Sequence, residues 1–293
     1  MDGHAAAPGA GTVLNALATG RGSAFALDFD TSAHVDLDDS GEVVGEIDGQ
    51  PDADTELIER CVSLTLERWG DDPAAAELPQ PVGGTVRTES DVPTAAGLKS
   101  SSAAANATVL ATVDALGLAG IVDPEAACRV GVQAAREAGV TVTGAFDDAS
   151  ASMLGGLTVT DNTADELLAR EEVAWDALVW TPPERAYSAD ADADRCELVA
   201  PMARLVEELA LDGEYARAMT VNGLAFSAAL GFSADPAVEA MPHAAGVSLS
   251  GTGPSVVAVG EREDLAAVRE HWDQRTGDTW MTTTRTDGAR VIE

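Results

Sequence analysis

Lysine is nearly absent: one occurs in 293 residues, at position 99, and every other basic side chain is arginine. Cations of any kind are few, with 17 Lys plus Arg against 50 Asp plus Glu and a formal net charge of −33. A surplus of that size repels nucleic acid and anionic lipid, so neither is an expected partner. Cysteine is scarce too. Cys61, Cys128 and Cys196 are odd in number, far apart and outside any C-x-x-C spacing, which argues against a disulfide framework or a zinc site and for small buried thiols. His4, His34, His243 and His271 fall in no ligand spacing. No cationic, apolar leader opens the chain and no apolar run approaches the roughly 18 residues of a membrane span, so a cytoplasmic protein is expected.

What is abundant is acid, and it is spread evenly. Runs are short, such as "DLDD" and "DADAD", and the pattern reads as a surface adapted to molar salt rather than one acidic docking face. At that salt the Debye length is about 3 Å, which removes most self-repulsion. Such a surface explains why lysines disappear. It gives no reason to keep one.

Along the chain, "GSAFALDFD", "AHVDLD" and "EVVGEID" alternate like strands, and "TELIERCVSLTLERW" has helical spacing with Thr55 as a possible N-cap. A strand pattern, "GGTVRTESDVP", precedes helices expected at about 101–116 and 124–138, the second with Pro124 in its first turn. "DNTADELLAREEV" reads as a linker, and "AWDALVWTPP" as a fresh strand. A boundary is therefore expected near residue 170, separating 1–170 from 171–293. The second part shows helices near 198–211, 214–230, 235–244 and 262–274 among strands "AGVSLS", "VVAVG" and "TWMTTTRT". Strands and helices mix without regular alternation, so both parts are expected to be α+β.

The lone lysine lies in "PTAAGLKSSSAAANA". This is no Walker A loop, because Leu98 rather than glycine precedes Lys99. The requirements of phosphate binding are nonetheless met: Gly97 lets backbone N–H groups turn inward, Ser100, Ser101 and Ser102 supply hydroxyls, and an Ala-rich helix begins with its positive end there. Capping alone needs one hydroxyl and no lysine.

Pro93 to Ala103 resembles the P-x-x-x-G-L-x-S-S-A motif of the GHMP kinases, which phosphorylate alcohols, apart from one extra serine. "GVSLSGTGPSVVAV" is similar to the family's C-terminal glycine loop, which would place Gly251, Thr252 and Gly253 over the phosphates; alone it would read as a turn. "APGAGTVLNALATGRGSAFALD" is similar to the N-terminal segment near acceptor and nucleotide, though of its usual pattern chiefly Asn15 survives. The three segments together look most like the archaeal branch of the family that acts on shikimate. The resemblance implies a ribosomal-protein-like α+β N-terminal domain, a ferredoxin-like C-terminal domain, and ATP with Mg2+.

It also implies roles. Pro93, Gly97, Leu98, Lys99 and Ser100 to Ser102 would hold the triphosphate, with Ser101 the hydroxyl nearest the metal. Kinases of the mevalonate type carry a magnesium-binding glutamate and, eleven residues on, a catalytic aspartate; here that pair is Glu137 and Asp148. Asp148 is the expected base, with Asp147 as the alternative. A carboxylate acceptor needs an arginine, and Arg21, flanked by glycines, is first choice, with Arg285 and Arg217 in reserve. A homoserine-type acceptor, whose ammonium would need a buried acid, and a GHMP-fold protein that binds nucleotide without catalysis remain alternatives. The sequence leaves oligomeric state open.

Overall fold

The longest strand, β2 (Arg21–Asp38), organises the first half of the molecule, seen in a computed structural model that describes residues 1–78, 80–91, 96–141, 143–186 and 191–292. It lies antiparallel to β1 (Asp2–Leu14), and its two ends serve different neighbours. Arg21–Phe25 pair with β5 (Leu157–Asp161), whereas Thr31–Asp38 pair with β4 (Gly83–Ser90). β3 (Val43–Ile47) adds parallel to β4, β6 (Glu166–Glu171) folds back on β5, and β11 (Arg290–Val291) closes on β1, making a seven-stranded sheet.

Two sequence expectations change here. "GSAFALDFD" and "AHVDLD" are one strand, not two: the break in alternation near Thr31 marks where β2 exchanges one neighbour for another. The expected linker contains β6, an edge strand whose side chains are at best half-buried, so no apolar alternation betrayed it.

Four helices cover one face of this sheet: α1 (Glu56–Trp69), α2 (Ser100–Ala115), α3 (Pro124–Glu137) and α4 (Phe146–Leu154). Buried residues surround α2 on all sides, as expected of a central helix without a polar stripe. α3 starts as its sequence indicates, with Asp123 accepting from Ala126 N at 3.0 Å and Pro124 in the first turn. Thr55 does not cap α1 through its side chain; its hydroxyl donates to Glu59 Oε1 at 2.7 Å instead.

The second sheet, in order β10-β7-β9-β8, is antiparallel throughout: β7 (Asp176–Thr181), β8 (Gly246–Leu249), β9 (Val256–Gly260) and β10 (Asp278–Thr283). With it pack α6 (Ala200–Leu211), α7 (Tyr215–Leu230), α8 (Asp235–Ala240) and α9 (Arg262–Trp272), while the short α5 (Ala193–Glu197) precedes them. The core of this half continues into the end of the first sheet through Val13, Leu14, Phe25 and Leu27. Leu98, fully buried in that shared core, seats the segment before α2 in the seam; such burial stabilises by about 1.5–3 kcal/mol. Among the described residues no helix is long and apolar enough to cross a membrane.

Candidate active site

The seam between the sheets is laced by neutral hydrogen bonds. Ser255 N donates to Ala96 O at 3.2 Å and Ser250 Oγ to Gly97 O at 2.8 Å, joining the loop before α2 to the glycine loop after β8. Only glycine fits at position 97: φ is +79°, and a Cβ would lie 2.2 Å from Ser250 O. Gly251 is held from β1, its N–H donating to Thr12 Oγ1 at 2.8 Å and its carbonyl accepting from Asn15 Nδ2 at 2.8 Å. Asn15 N in turn donates to Asn222 Oδ1 at 2.9 Å, and Asn222 Nδ2 to Ser248 Oγ at 3.0 Å. Asn222 is completely buried on α7, so the chain of contacts ties both halves to the glycine loop.

Lys99 occupies the N-cap position of α2 in the left-handed region, φ +67°, without capping the helix through its side chain. The side chain instead runs beside Gly251 to Asp148, with Nζ 2.8 Å from Oδ1. The two side chains are only 8% and 13% exposed, so this is a nearly dry ion pair. Burial and the neighbouring Asp147 push the Asp148 carboxyl up to about 7, against the pull of Lys99.

Asp147 points elsewhere and is only 4% exposed. Its Oδ1 accepts from Asn162 Nδ2 at 2.6 Å, while Asn162 Oδ1 accepts from Asp147 N at 3.1 Å and from Thr160 Oγ1 at 2.8 Å.

Two cavities meet at Lys99 and Asp148. The larger, about 670 Å³, is lined by Gly97, Ser100 and Ser101 and extends over Ile47, Asp48, Asp54 and Leu57; its size suits a nucleotide. The smaller, about 40 Å³, is bounded by Asn15, Leu17, Thr143 and Asp147. Lys99, Thr141, Ala145, Asp148, Gly251 and Thr252 line both. A phosphate donor on one side and an alcohol on the other would therefore face the same lysine–aspartate pair.

Other residues expected at the site lie as follows. Asn15 lines the small cavity, but its Nδ2 is bonded to Gly251 O and its Oδ1 accepts from Leu17 N at 2.9 Å. Gly253 lies in the glycine loop, where a Cβ would fall 2.6 Å from the Phe232 ring, outside both linings, and Ser102 is half-buried one step past Ser101. Glu137 projects from the last turn of α3 to Arg60 and to Gln133 Nε2 at 2.8 Å, which hold its carboxyl below its usual range, and it lines neither cavity. Arg21 pairs with Asp161 at 3.0 Å and Glu207 at 3.5 Å; Arg285 pairs with Asp30 at 2.7 Å; Arg217 is exposed beside Glu214. Among the described residues no arginine lines either cavity. Pro93 lies outside the described residues. Sequence reasoning missed Asn162, Asn222 and Thr12. An asparagine after a strand reads as a turn residue, and one inside a helix carries no signal of a partner 207 positions away.

A helix N-terminus, a lysine–aspartate pair and a glycine loop lie together between the two sheets, and phosphoryl transfer calls for parts of these kinds. Residues 56–156 match the family described as GHMP kinases N terminal domain. The chain is 63% identical over 292 residues to "Shikimate kinase" of Halobacterium salinarum, covering 99% of this chain and 100% of that one. It is 49% identical over 275 residues to "Shikimate kinase" of Methanosarcina acetivorans, covering 93% and 90%. In fold it is similar to a crystal structure of homoserine kinase from Cytophaga hutchinsonii, with a TM-score of 0.74, 18% identity and coverage of 99% and 97%. The chain belongs to the GHMP kinase family, alongside the archaeal shikimate kinases.

Proposed function

We propose that the protein transfers the γ-phosphoryl group of ATP to a hydroxyl of shikimate, giving shikimate 3-phosphate. The observation that carries the reaction type is the Lys99–Asp148 pair on the wall common to a nucleotide-sized cleft and a small polar chamber. The acceptor follows from the relatives at 63% and 49% identity. In this reading residues 1–170 carry the phosphate loop and the catalytic acid, and 171–293 the glycine loop. The enzyme works in the cytoplasm.

The triphosphate lies along the start of α2, where Gly97, Leu98, Ser100, Ser101 and Ser102 offer backbone N–H groups and hydroxyls and the helix end favours an anion. Lys99 adds a compact charge beside the transferred group. Thr252 and its neighbouring glycines close the loop over it. Asp148 accepts the alcohol proton as the new O–P bond forms and the bond to ADP breaks. Asn15 reaches the acceptor through the loop it holds.

The oxygen donors at the cleft, with no imidazole or thiol among them, suit a hard cation. When bound, Mg2+ would neutralise charge on the triphosphate. Ser101 would hold it; for Glu137 to join, its carboxylate must leave Arg60 and Gln133. Arg21 likewise meets the acceptor carboxylate only by leaving Asp161 and Glu207.

One observation favours a second acceptor. Asp147, a buried acid on the small chamber, could meet the ammonium of homoserine. ATP consumption measured in molar KCl with shikimate, homoserine, mevalonate and galactose in parallel decides: turnover on homoserine with none on shikimate would refute the proposed acceptor.

A further inference from the structure

Fifty acids crowd this chain, and Asp147, only 4% exposed, is one that the fold buries. Burying a carboxylate is costly unless it is bonded and held for a purpose. We infer that Asp147, clamped by Asn162, is a positioning residue that fixes the start of α4 and, through its negative charge, biases the proton on Asp148. This rests on the reading of Asp148 as the base.

The hydrogen bonds determine how Asp147 is oriented. Asp147 N–H can only donate, so the Asn162 atom facing it must be the carbonyl oxygen, which also accepts from Thr160 Oγ1. The amide NH2 of Asn162 is thereby turned to Asp147 Oδ1. The amide donor reaches Oδ1 at 2.6 Å and fixes the orientation of the carboxyl group. Asn162 thus holds both the backbone and the side chain of one residue in the first turn of α4, from the end of β5.

On the β2 side Asp147 has no room to swing. Gly22 on β2 lies flat against it, and a Cβ there would fall 2.5 Å from Asp147 Cγ. A base must follow a proton off the acceptor; a carboxylate wedged between a strand and an asparagine serves better as a fixed charge. Among the described residues, the charged groups placed with Asp148 are Lys99 from the start of α2 and Asp147 on its own helix, with Asp48 and Asp54 lining the same large cleft. Burial does most to raise the affinity of Asp148 for its proton, Asp147 adds to it, and Lys99 opposes it.

The test is the pH profile of kcat with ATP and shikimate in molar KCl, for Asp147→Asn, Asn162→Ala and Asp148→Asn. Wild-type turnover should rise through pH of about 7. Asp147→Asn removes the neighbouring negative charge, so its acid limb should move down by about one pH unit while the plateau falls less than about tenfold. Asn162→Ala should shift the limb the same way by a smaller amount and lower kcat about tenfold, with KM for ATP unchanged, and it carries the test if Asp147→Asn fails to fold. Asp148→Asn should lose at least about 100-fold at every pH. An unshifted limb in the folded variants, with Asp148→Asn inactive, overturns this inference alone. Activity in Asp148→Asn with none in Asp147→Asn overturns both the inference and the base assignment.

Discussion

In the seam between the sheets, the contacts that hold the glycine loop are neutral: hydroxyls and amides of Thr12, Asn15, Asn222, Ser250 and Ser255 bond to backbone or to one another. On the outer surface they are ionic. Arg21 joins Asp161 and Glu207, Arg290 joins Asp30, and Arg262 joins Asp176. Salt screens the second kind and leaves the first almost untouched. A chain at a net charge of −33 is expected to need molar salt to hold its surface together, while its Lys99–Asp148 pair lies where that salt has little effect. Lys99, mostly buried and paired to one acid, is a charged exception in the seam, whereas Arg262 and Arg290 lie on the surface.

Three changes break or sharpen this contrast, from the largest effect to the smallest. Lys99→Arg keeps the charge but puts a broad planar fork where Gly251 and Asp148 leave space for an ammonium. Turnover should fall at least about 100-fold while the melt in molar KCl is nearly unchanged, and full activity would show that only the charge matters. Transfer of the wild type from molar to millimolar KCl should lower Tm by tens of degrees or unfold the protein, as roughly 30 unscreened negative charges repel; circular dichroism melts that do not depend on salt would refute it. The finest test is a pair. Asn15→Ala should cost about 1–2 kcal/mol by leaving Gly251 O unbonded, by the same amount at 1 M and 3 M KCl. Arg21→Gln should cost under about 1 kcal/mol, and less at the higher salt. A raised KM for shikimate in Arg21→Gln would move Arg21 from the surface to the acceptor site.

Legibility followed the range of the interactions. α3 could be read from Asp123, Pro124 and its apolar stripe, because capping and periodicity lie within one element. The loop at Gly97 to Ser102 could be read because glycine, lysine and serines adjoin in the chain. β1 escaped notice: "DGHAAAPGAGTVL" is built of alanine, glycine and proline, which carry no strand preference, and only its central place against β2 and α2 makes it a strand. β11, two residues long, exists only because β1 offers it an edge. His4 and His34, silent at a spacing of 30 residues, stack with centroids 4.0 Å apart because β1 and β2 pair them. Of the two adjacent acids, spacing singled out Asp148, and the fold distinguished its ion pair with Lys99 from the Asn162 clamp on Asp147.

By itself the sequence determined the local matters: that one lysine stands at the start of an alanine-rich helix after a glycine turn, that the surface is acidic, and where most helices begin and end. Backbone conformation, caps and solvent exposure depend on near neighbours, so residue order suffices for them. Only the tertiary structure decided that Lys99 meets Asp148, that Asn222 holds Asn15 and Asn15 holds Gly251, and that Glu137 and Arg21 turn to surface partners instead of the cleft. Each of those contacts joins segments distant in the chain, and which of many acids a cation meets is settled by packing, because a charge by itself does not choose its partner.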